Sequence, residues 1–331
     1  MKRLIAEFEP QSFTQVIFPH ANSDWREYLE EAEDNFVRII NEIIKHQKCL
    51  VVCANKEYVK SLFEPNKNLH FVEYETNDTW ARDSSAICVQ NGDDIKLLDF
   101  IFTGWGGKFE SCKDNAMSRS IKHCYSKDLK SIDFILEGGG IESDGAGRIL
   151  TTSHCMLNQN RNHALSKDEI TARLKEYFAA EEILYIDHGY LAGDDTDSHI
   201  DTLARFISPD TIAYVKCTDE NDEHFKELSL MEAELKGIAK EFGYRLVALP
   251  MSEAIYFEGE RLPATYANFL FVNGALLVPT YGVKEDALAL EILRTALPHL
   301  EVVGIDCLTL IKQHGSLHCV TMNFAKGVDL L

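Results

Sequence analysis

The sequence predicts an α/β fold in which one unit of strands and a helix is repeated around an axis. Helical patterns alternate with β-branched, apolar runs along the 331 residues. Polar loops follow apolar runs at intervals of about 50 to 70 residues, and they centre on Asp83, Glu137, His199, Asn268 and Cys319. Such a period is typical of radial repetition, which would bring all five loops to one central site.

Five segments have a helical pattern, and we expect helices at residues 24–46, 113–125, 166–178, 223–242 and 284–296. Ser166 followed by Glu169 is a capping box, which marks the start of the third helix. Strands are expected at the apolar runs KCLVVC, HFVEYE, SIDFIL, EILYID, RLVALP and FLFVNGALLVP. Because no linker rich in proline or serine divides the chain, we expect residues 1–331 to form one domain.

The composition argues against several classes of protein. The net charge is −20, from 53 acidic and 33 basic side chains, which is unfavourable for a nucleic-acid binder. An acidic surface slightly favours a cationic small molecule as partner, although solubility is the simpler explanation of the charge. The sequence leaves a homo-oligomer open.

The sequence predicts a cytoplasmic protein without a membrane anchor. Glu7 and Glu9 interrupt the apolar residues at the N-terminus, so this segment does not resemble a signal peptide. The longest apolar run, near residues 269–279, contains Asn273 and Gly274 and is too short to span a bilayer. The nine cysteines form no CxxC pair, as expected for reduced intracellular thiols.

We predict no metal and no cofactor. Neighbouring side chains on a strand face opposite ways, so adjacent His–Cys pairs make poor metal chelates. Three such pairs occur, at residues 123–124, 154–155 and 318–319. The glycine-rich strings EGGG and GWGGK match neither a dinucleotide fingerprint nor a phosphate loop.

Cys319 is the candidate nucleophile. A single cysteine is usually a small core residue, but Gly315 and Ser316 precede this one and would permit close backbone approach to a ligand. His318 would point to the opposite face of an extended segment, so we do not assign it as the base.

His199 is the better candidate for acid–base chemistry. It follows Asp194, Asp195 and Asp197, and Asp201 lies two residues beyond it on the same side of an extended segment. Nearby carboxylates favour the imidazolium form. The alternative is a solvated acidic turn.

Asp83 and Glu137 complete the candidate set. The ring of Trp80 could cover the flat face of a guanidinium while Asp83 binds its edge, although a surface pair between Arg82 and Asp83 is an alternative. Glu137 precedes three glycines, which allow unusual backbone geometry beside a buried acid. A thiol, an imidazole and three carboxylates would suit attack on a guanidinium carbon.

Seven strings in order carry a resemblance that covers most of the chain, from about Asn77 to Met322. They are NDTWARD, GWGGK, EGGGIESDG, ILTTSHCMLNQNRN, DDTDSHID, LPATYANFLFVNGALLVP and HGSLHC. This ordered set resembles the agmatine deiminases, which belong with the Porphyromonas-type peptidylarginine deiminases in the guanidino-group-modifying superfamily. The resemblance implies a five-bladed α/β-propeller of ββαβ units, the pentein fold.

The resemblance also implies roles for individual residues. Cys319 would be the nucleophile, His199 the general acid and base, and Glu137 its support, while Asp83 and Asp201 would clamp the guanidinium. Trp80 would be a wall of the pocket. Apart from the resemblance, we assign Trp105 to substrate binding, and either Asp195 or Asp197 could hold the distal amine. The implied reaction converts agmatine to N-carbamoylputrescine and ammonia, in putrescine and polyamine biosynthesis.

Three local departures from the family pattern put the loop geometry, and hence the substrate, in question. Ser84, Ser85 and Ala86 stand where the family has TGP, Ser198 stands where DTDGH has glycine, and HGSLHC has fewer glycines than GGGNIHC. The alternatives are a peptidylarginine or free-arginine deiminase, a nitrilase-type amidase using Lys108, and a propeller without catalytic activity.

Overall fold

The computed structural model describes residues 2–331, and its strands and helices alternate as the sequence predicts. Over this range the strands form five sheets of three or four strands and a separate hairpin, Tyr256–Phe257 with Glu260–Arg261. Apolar side chains of the sheets and helices pack into two buried clusters. Because helices pack on sheets in this way, the fold is α/β. Within residues 2–331, no helix is both long and apolar enough to cross a membrane.

Four sheets share one arrangement, in which an antiparallel pair of strands is followed by a third strand parallel to the second. In chain order their strands are Ile87–Asn91, Asp94–Ile101 and Leu129–Ile135; Glu142–Ser143, Arg148–Thr152 and Glu182–Ile186; Ala204–Ser208, Thr211–Lys216 and Arg245–Pro250; Leu270–Val272, Ala275–Thr280 and Glu301–Asp306. The short strand Lys2–Leu4 adds to the edge of the first of these.

The fifth sheet joins the two ends of the chain. Its order is Thr321–Ala325, Gln11–Ile17, Lys48–Cys53 and Leu69–Glu73, with only the first pair antiparallel. Its first three strands are therefore arranged as in the other four sheets, except that the antiparallel pair comes from opposite ends of the sequence, and Leu69–Glu73 adds a fourth, parallel strand.

Parallel neighbours cannot be joined by a tight turn, so a helix crosses between them in every sheet. The crossover helices are Leu29–His46, Cys112–Ser120, Lys167–Phe178, Phe225–Phe242 and Glu285–Ala296. They confirm the five predicted helices and the capping box at Ser166. Shorter helices are Lys56–Ser61, Ala81–Ser84, Gly104–Gly107, Ser153–Met156 and Leu308–Ile311, with 3-10 turns at Asp24–Tyr28, Lys122–Cys124, Gly138–Gly140 and Ile200–Thr202.

Two predicted helix boundaries differ from the structure. Residues 24–28 form a 3-10 turn because Tyr28 leaves the helical region, with φ −137° and ψ 40°, before the α-helix begins. The second helix ends at Ser120 rather than at residue 125. Ile121, with φ −99° and ψ 12°, has left the helical region.

We predict that Phe324→Ala lowers the free energy of unfolding by about 3 to 5 kcal/mol. The ring of Phe324 is fully buried and stacks on Phe13 at 4.4 Å and on Tyr125 at 5.1 Å, so its loss opens a cavity where the chain ends meet. Urea unfolding followed by circular dichroism measures the change. Tyr256→Ala, at a residue 63% exposed, is the control, and equal effects of the two substitutions would contradict the packing account.

Candidate active site

Five loops, each connecting the last strand of one sheet to the first strand of the next, contact one another. The amide of Gly139 donates to Asp83 Oδ1 at 2.9 Å, and the amide of Arg82 donates to the carbonyl of Cys319 at 3.1 Å. Asn268 links two further loops, because its side chain donates to the carbonyl of Asp201 at 3.4 Å and its carbonyl accepts from His318. The structure therefore brings together residues that are far apart in the sequence.

Cys319 lines a cavity and is 5% exposed. Its Sγ is 3.4 Å from Asn268 Oδ1 and 4.0 Å from Asp201 Oδ2. Burial raises the pKa of the Cys319 thiol well above its ordinary value, and the negative charges of Asp201 and Asp83 raise it further. These effects favour the thiol, and a cation bound beside it would favour the thiolate.

The imidazole of His199 lies between two acids. Its Nδ1 is 3.7 Å from Asp83 Oδ1, and its Nε2 is 3.9 Å from Glu137 Oε2. Burial alone would lower the pKa of His199, but the negative charge of Asp83, together with the neighbouring Cys155 and Glu137, outweighs it and raises the pKa well above its ordinary value. His199 is therefore an imidazolium that can donate a proton, and it is not part of a solvated turn.

The two acids next to Cys319 differ in their partners. Asp83 accepts from the amide of Gly139 and from Trp105 Nε1 at 3.0 Å, and burial raises its pKa. Burial also acts to raise the pKa of Asp201, but the hydrogen bond and charge of His318 lower it below its ordinary value. Asp201 Oδ1 is buried and has no hydrogen-bond partner, so an acceptor is left for a ligand.

Glu137 is held from behind by Arg161, whose Nε lies 2.8 and 3.1 Å from its two oxygens. Burial would raise the pKa of Glu137, but the positive charges of His199 and Arg161 lower it. Arg161 also contacts Asp197 Oδ2 at 2.7 Å, and Lys108 contacts Asp197 Oδ1 at 2.8 Å. Asp197 is thus engaged in an ion-pair chain and does not line the cavity.

Trp80, Trp105 and Asp195 line the cavity, and their role in substrate binding stays a prediction. The two indole rings are 6.4 Å apart and nearly perpendicular. A Cβ at Gly315 would lie 2.0 Å from the ring of Trp80, so a side chain at this position would clash with the indole. The cavity has a volume of about 130 Å³.

Ser198, where the family pattern has glycine, has a left-handed backbone with φ 65°, and Asp197 before it has φ 66°. Such angles are costly for residues other than glycine and are common at functional sites. The amide of Ser198 donates to Asp194 Oδ2 at 2.7 Å, and its carbonyl accepts from Thr152 at 2.7 Å. These bonds hold the turn that presents His199 without the glycine.

His318 contributes to the site from behind, which the sequence did not reveal. Its Nδ1 donates to Asp201 Oδ2 at 2.7 Å, and its Nε2 donates to Glu7 Oε2 at 2.5 Å. Ionised carboxylates only accept hydrogen bonds, so both ring nitrogens carry protons and the side chain is an imidazolium. Its ring does face away from the cavity, as expected, and there it fixes Asp201.

Glu7 connects this imidazolium to two buried arginines, with Arg205 at 2.9 Å and Arg82 at 3.2 Å. Arg205 also contacts Glu142 at 2.6 Å. Arg82 is buried in this network, so the alternative of a surface pair with Asp83 is wrong. No pattern in the sequence identified Glu7, which lies at the opposite end of the chain from His318.

Asp78 is a second residue that the sequence analysis did not identify. It lines the cavity and accepts from Trp80 Nε1 at 2.8 Å and from Trp25 Nε1 at 3.1 Å. Burial raises the pKa of Asp78 to about 7, and the neighbouring carboxylate of Asp114 adds to the shift. Only the NDTW string could have indicated from the sequence that Asp78 positions the indole rings.

Comparison with known proteins gives a consistent result. The model of the Porphyromonas-type peptidyl-arginine deiminase family matches residues 3–324. The agmatine deiminase of Stutzerimonas stutzeri (strain A1501) is 29% identical, with 96% of this chain and 93% of that protein covered.

Solved structures extend this comparison. A Cys-to-Ser variant of C. jejuni agmatine deiminase with substrate bound is 42% identical, with a TM-score of 0.94 and coverage of 99% of this chain and 97% of that one. An amidinotransferase from Microseira wollei is 12% identical, with a TM-score of 0.55 and coverage of 98% and 97%, and so shares the fold. The match to the family model over nearly the whole sequence shows that this chain belongs to the Porphyromonas-type peptidyl-arginine deiminase family.

Proposed function

We propose that this protein is an agmatine deiminase, a hydrolase that converts the guanidinium group of agmatine to a ureido group with release of ammonia. The product is N-carbamoylputrescine, which leads to putrescine and polyamines. Relatives with this name cover nearly the whole chain, and one is a structure with substrate bound. We further propose that the reaction passes through an amidino group bonded to Cys319.

The negative charge of the cavity lining favours agmatine over free arginine as the substrate. Its lining includes the carboxylates of Asp24, Asp78, Asp83 and Asp195, and among the lining residues within 2–331 there is no lysine or arginine. Agmatine has a cation at each end, whereas free arginine also needs a partner for its carboxylate. An acidic cavity with a reactive thiol in its lining therefore suits the decarboxylated compound.

The first half-reaction begins with the guanidinium held by Asp83 and Asp201. Two carboxylates can bind the planar cation through paired, charge-assisted hydrogen bonds and fix it against Sγ of Cys319. The bound charge favours loss of the Cys319 thiol proton to solvent, and the resulting thiolate attacks the central carbon to give a tetrahedral adduct. His199 then gives a proton to the departing nitrogen, the C–N bond breaks, and ammonia leaves.

The second half-reaction hydrolyses the S-linked amidino group. His199, now neutral, takes a proton from water as the oxygen attacks the same carbon. Collapse of the adduct breaks the C–S bond, releases the ureido product and regenerates the thiolate. Glu137 stabilises the imidazolium in both steps, and proton transfer of this kind is worth roughly 100- to 10,000-fold in rate.

The fold supports this arrangement. We propose that the five sheets are the blades of a five-bladed α/β-propeller within one domain, because each has the same strand order and each loop between sheets reaches the site. A cytoplasmic location stays a prediction and is consistent with cysteines that are all free. That the protein does not bind nucleic acid also stays a prediction.

The alternatives are less well supported by the contacts. Arg82 and Arg161, the cations that could bind the carboxylate of arginine, are both engaged with buried acids. Lys108, which a nitrilase-type amidase would need beside its thiol, instead contacts Asp195 and Asp197 at the surface. A binding protein without activity would have no need of a thiol enclosed among ionised groups.

The discriminating experiment compares ammonia release from agmatine, arginine and an arginyl peptide. We expect kcat/KM to be highest for agmatine by at least about 100-fold, the cost of leaving a carboxylate buried without a partner. A preference for arginine or for the peptide would overturn the assignment.

We predict that Cys319→Ala abolishes ammonia release from agmatine while agmatine still binds, because the substitution removes the nucleophile and leaves both acids in place. Steady-state assays measure turnover, and calorimetry measures binding. Cys112→Ala, at an exposed thiol, is the matched control and should retain full activity. Normal turnover by Cys319→Ala would rule out the covalent mechanism.

We predict that Asp83→Asn and Asp201→Asn each lower kcat/KM by about 100-fold or more at nearly unchanged volume. Each replaces a charged partner of the guanidinium by a neutral amide. Asp128→Asn is the control, since its side chain is 92% exposed. Near-normal efficiency in both site variants would contradict the proposed clamp.

We predict that His318→Asn lowers kcat/KM for agmatine by about 10- to 100-fold and changes its pH profile. Loss of the imidazolium removes the charge that lowers the pKa of Asp201, so that pKa rises. The carboxylate is then lost at a higher pH as the solution is acidified, and the acidic limb of the profile moves upward. A lower rate with an unchanged limb would contradict this role; the exposed His123→Asn is the control.

A further inference from the structure

Three metal-ligand atoms of different kinds lie together beside the proposed acid–base residue. A carboxylate oxygen of Glu137, the Sγ of Cys155 and a ring nitrogen of His199 are all within 4.8 Å of one another, and all three residues are buried. The proposed reaction uses Glu137 and His199. It gives no task to Cys155, which is a free thiol.

A second observation points to a ligand at this position. His199 Nε2 is buried and has no hydrogen-bond partner, and its distance to Glu137 Oε2, 3.9 Å, is too long for a hydrogen bond. A Cβ placed on Gly140 would lie 3.3 Å from the Sγ of Cys155 and 3.9 Å from Nε2. The thiol and the unpartnered nitrogen therefore face the same small space beside that glycine.

These donors suit a thiophilic divalent cation. Zn²⁺ binds thiolate, imidazole nitrogen and carboxylate oxygen tetrahedrally at about 2.0 to 2.3 Å, which places neighbouring ligand atoms about 3.3 to 3.8 Å apart. The ligand atoms here need to approach one another by no more than about 1 to 1.5 Å. The thiolate favours Zn²⁺ over Mg²⁺ or Ca²⁺, which prefer oxygen ligands.

The surroundings supply the remaining requirements of such a site. Arg161 keeps its two contacts with Glu137 and would orient that carboxylate from the outer shell. Coordination would release the proton of the Cys155 thiol and the Nε2 proton of His199, and water would take the fourth position. The metal then occupies the lone pair on Nε2 of His199. The reaction needs this nitrogen in its protonated form.

We propose that Glu137, Cys155 and His199 form an inhibitory binding site for Zn²⁺ and similar thiophilic divalent cations. Binding of the metal follows from the three donors alone, while the inhibition rests on the proposed function. The site is distinct from capture of a metal by the nucleophile, because its sulfur ligand is Cys155 and not Cys319.

The test measures Zn²⁺ binding to the full-length, metal-free protein by equilibrium dialysis, with Co²⁺ substitution to report a thiolate-to-metal charge-transfer band. We expect one equivalent to bind wild-type protein and Cys319→Ala alike. Cys155→Ala should bind at least about 10-fold more weakly and lose the band. Cys155→Ser, of nearly unchanged volume, serves if the alanine variant does not fold, and Cys112→Ala is the control for the exposed thiol.

Activity supplies a separate measurement. Zn²⁺ should inhibit agmatine hydrolysis by the wild-type protein, EDTA should restore it, and Cys155→Ser should resist inhibition relative to its own uninhibited rate. Retained binding in the Cys155 variants, or lost binding in Cys319→Ala, would overturn the site. Zn²⁺ bound as expected by a protein that does not hydrolyse agmatine would support the site and overturn the proposed function.

Discussion

Ionised groups enclosed between five loops must each find an opposite charge, and this requirement organises the centre of the molecule. His199 is held between Asp83 and Glu137, and Glu137 is in turn held by Arg161. Removing one member of such a set leaves a buried charge without a partner, which is costly. The loops are therefore fixed to one another by electrostatics as well as by the sheets that carry them.

The same pairing gives Asp201 and Asp83 different pKa values. Asp201 is kept ionised by the imidazolium of His318, whereas burial raises the pKa of Asp83. Asp201 is thus prepared to attract a cation before it arrives, and a bound cation would oppose the effect of burial on the pKa of Asp83. Burial also raises the pKa of the Cys319 thiol, and in the proposed mechanism the positive charge of the bound substrate favours its thiolate.

Much of the fold could be predicted from local patterns. The alternation of helices and strands and the capping box at Ser166 follow from short-range physics, and the structure confirms them. The ends of two helices could not be predicted, because they depend on the dihedrals of Tyr28 and Ile121 in their tertiary setting. The pairing of the C-terminal strand with Gln11–Ile17 is a long-range contact that no local pattern encodes.

The site shows the same limit. Cys319, His199 and the acids stood out because reactive residue types occur in glycine-rich or acidic loops. Glu7 and Asp78 did not, because a carboxylate becomes informative only when its partners are known in space. Asp195 and Asp197 looked equivalent in sequence, yet one lines the cavity and the other is paired with Arg161 and Lys108.

The central claim is that Cys319 forms a covalent bond to the substrate carbon. Mass spectrometry of the wild-type protein, acid-quenched during turnover of agmatine and then digested, tests it most directly. The account predicts one added amidino group on the peptide that contains Cys319. Steady turnover with that peptide unmodified at every quench time, or the adduct on another cysteine, would contradict it.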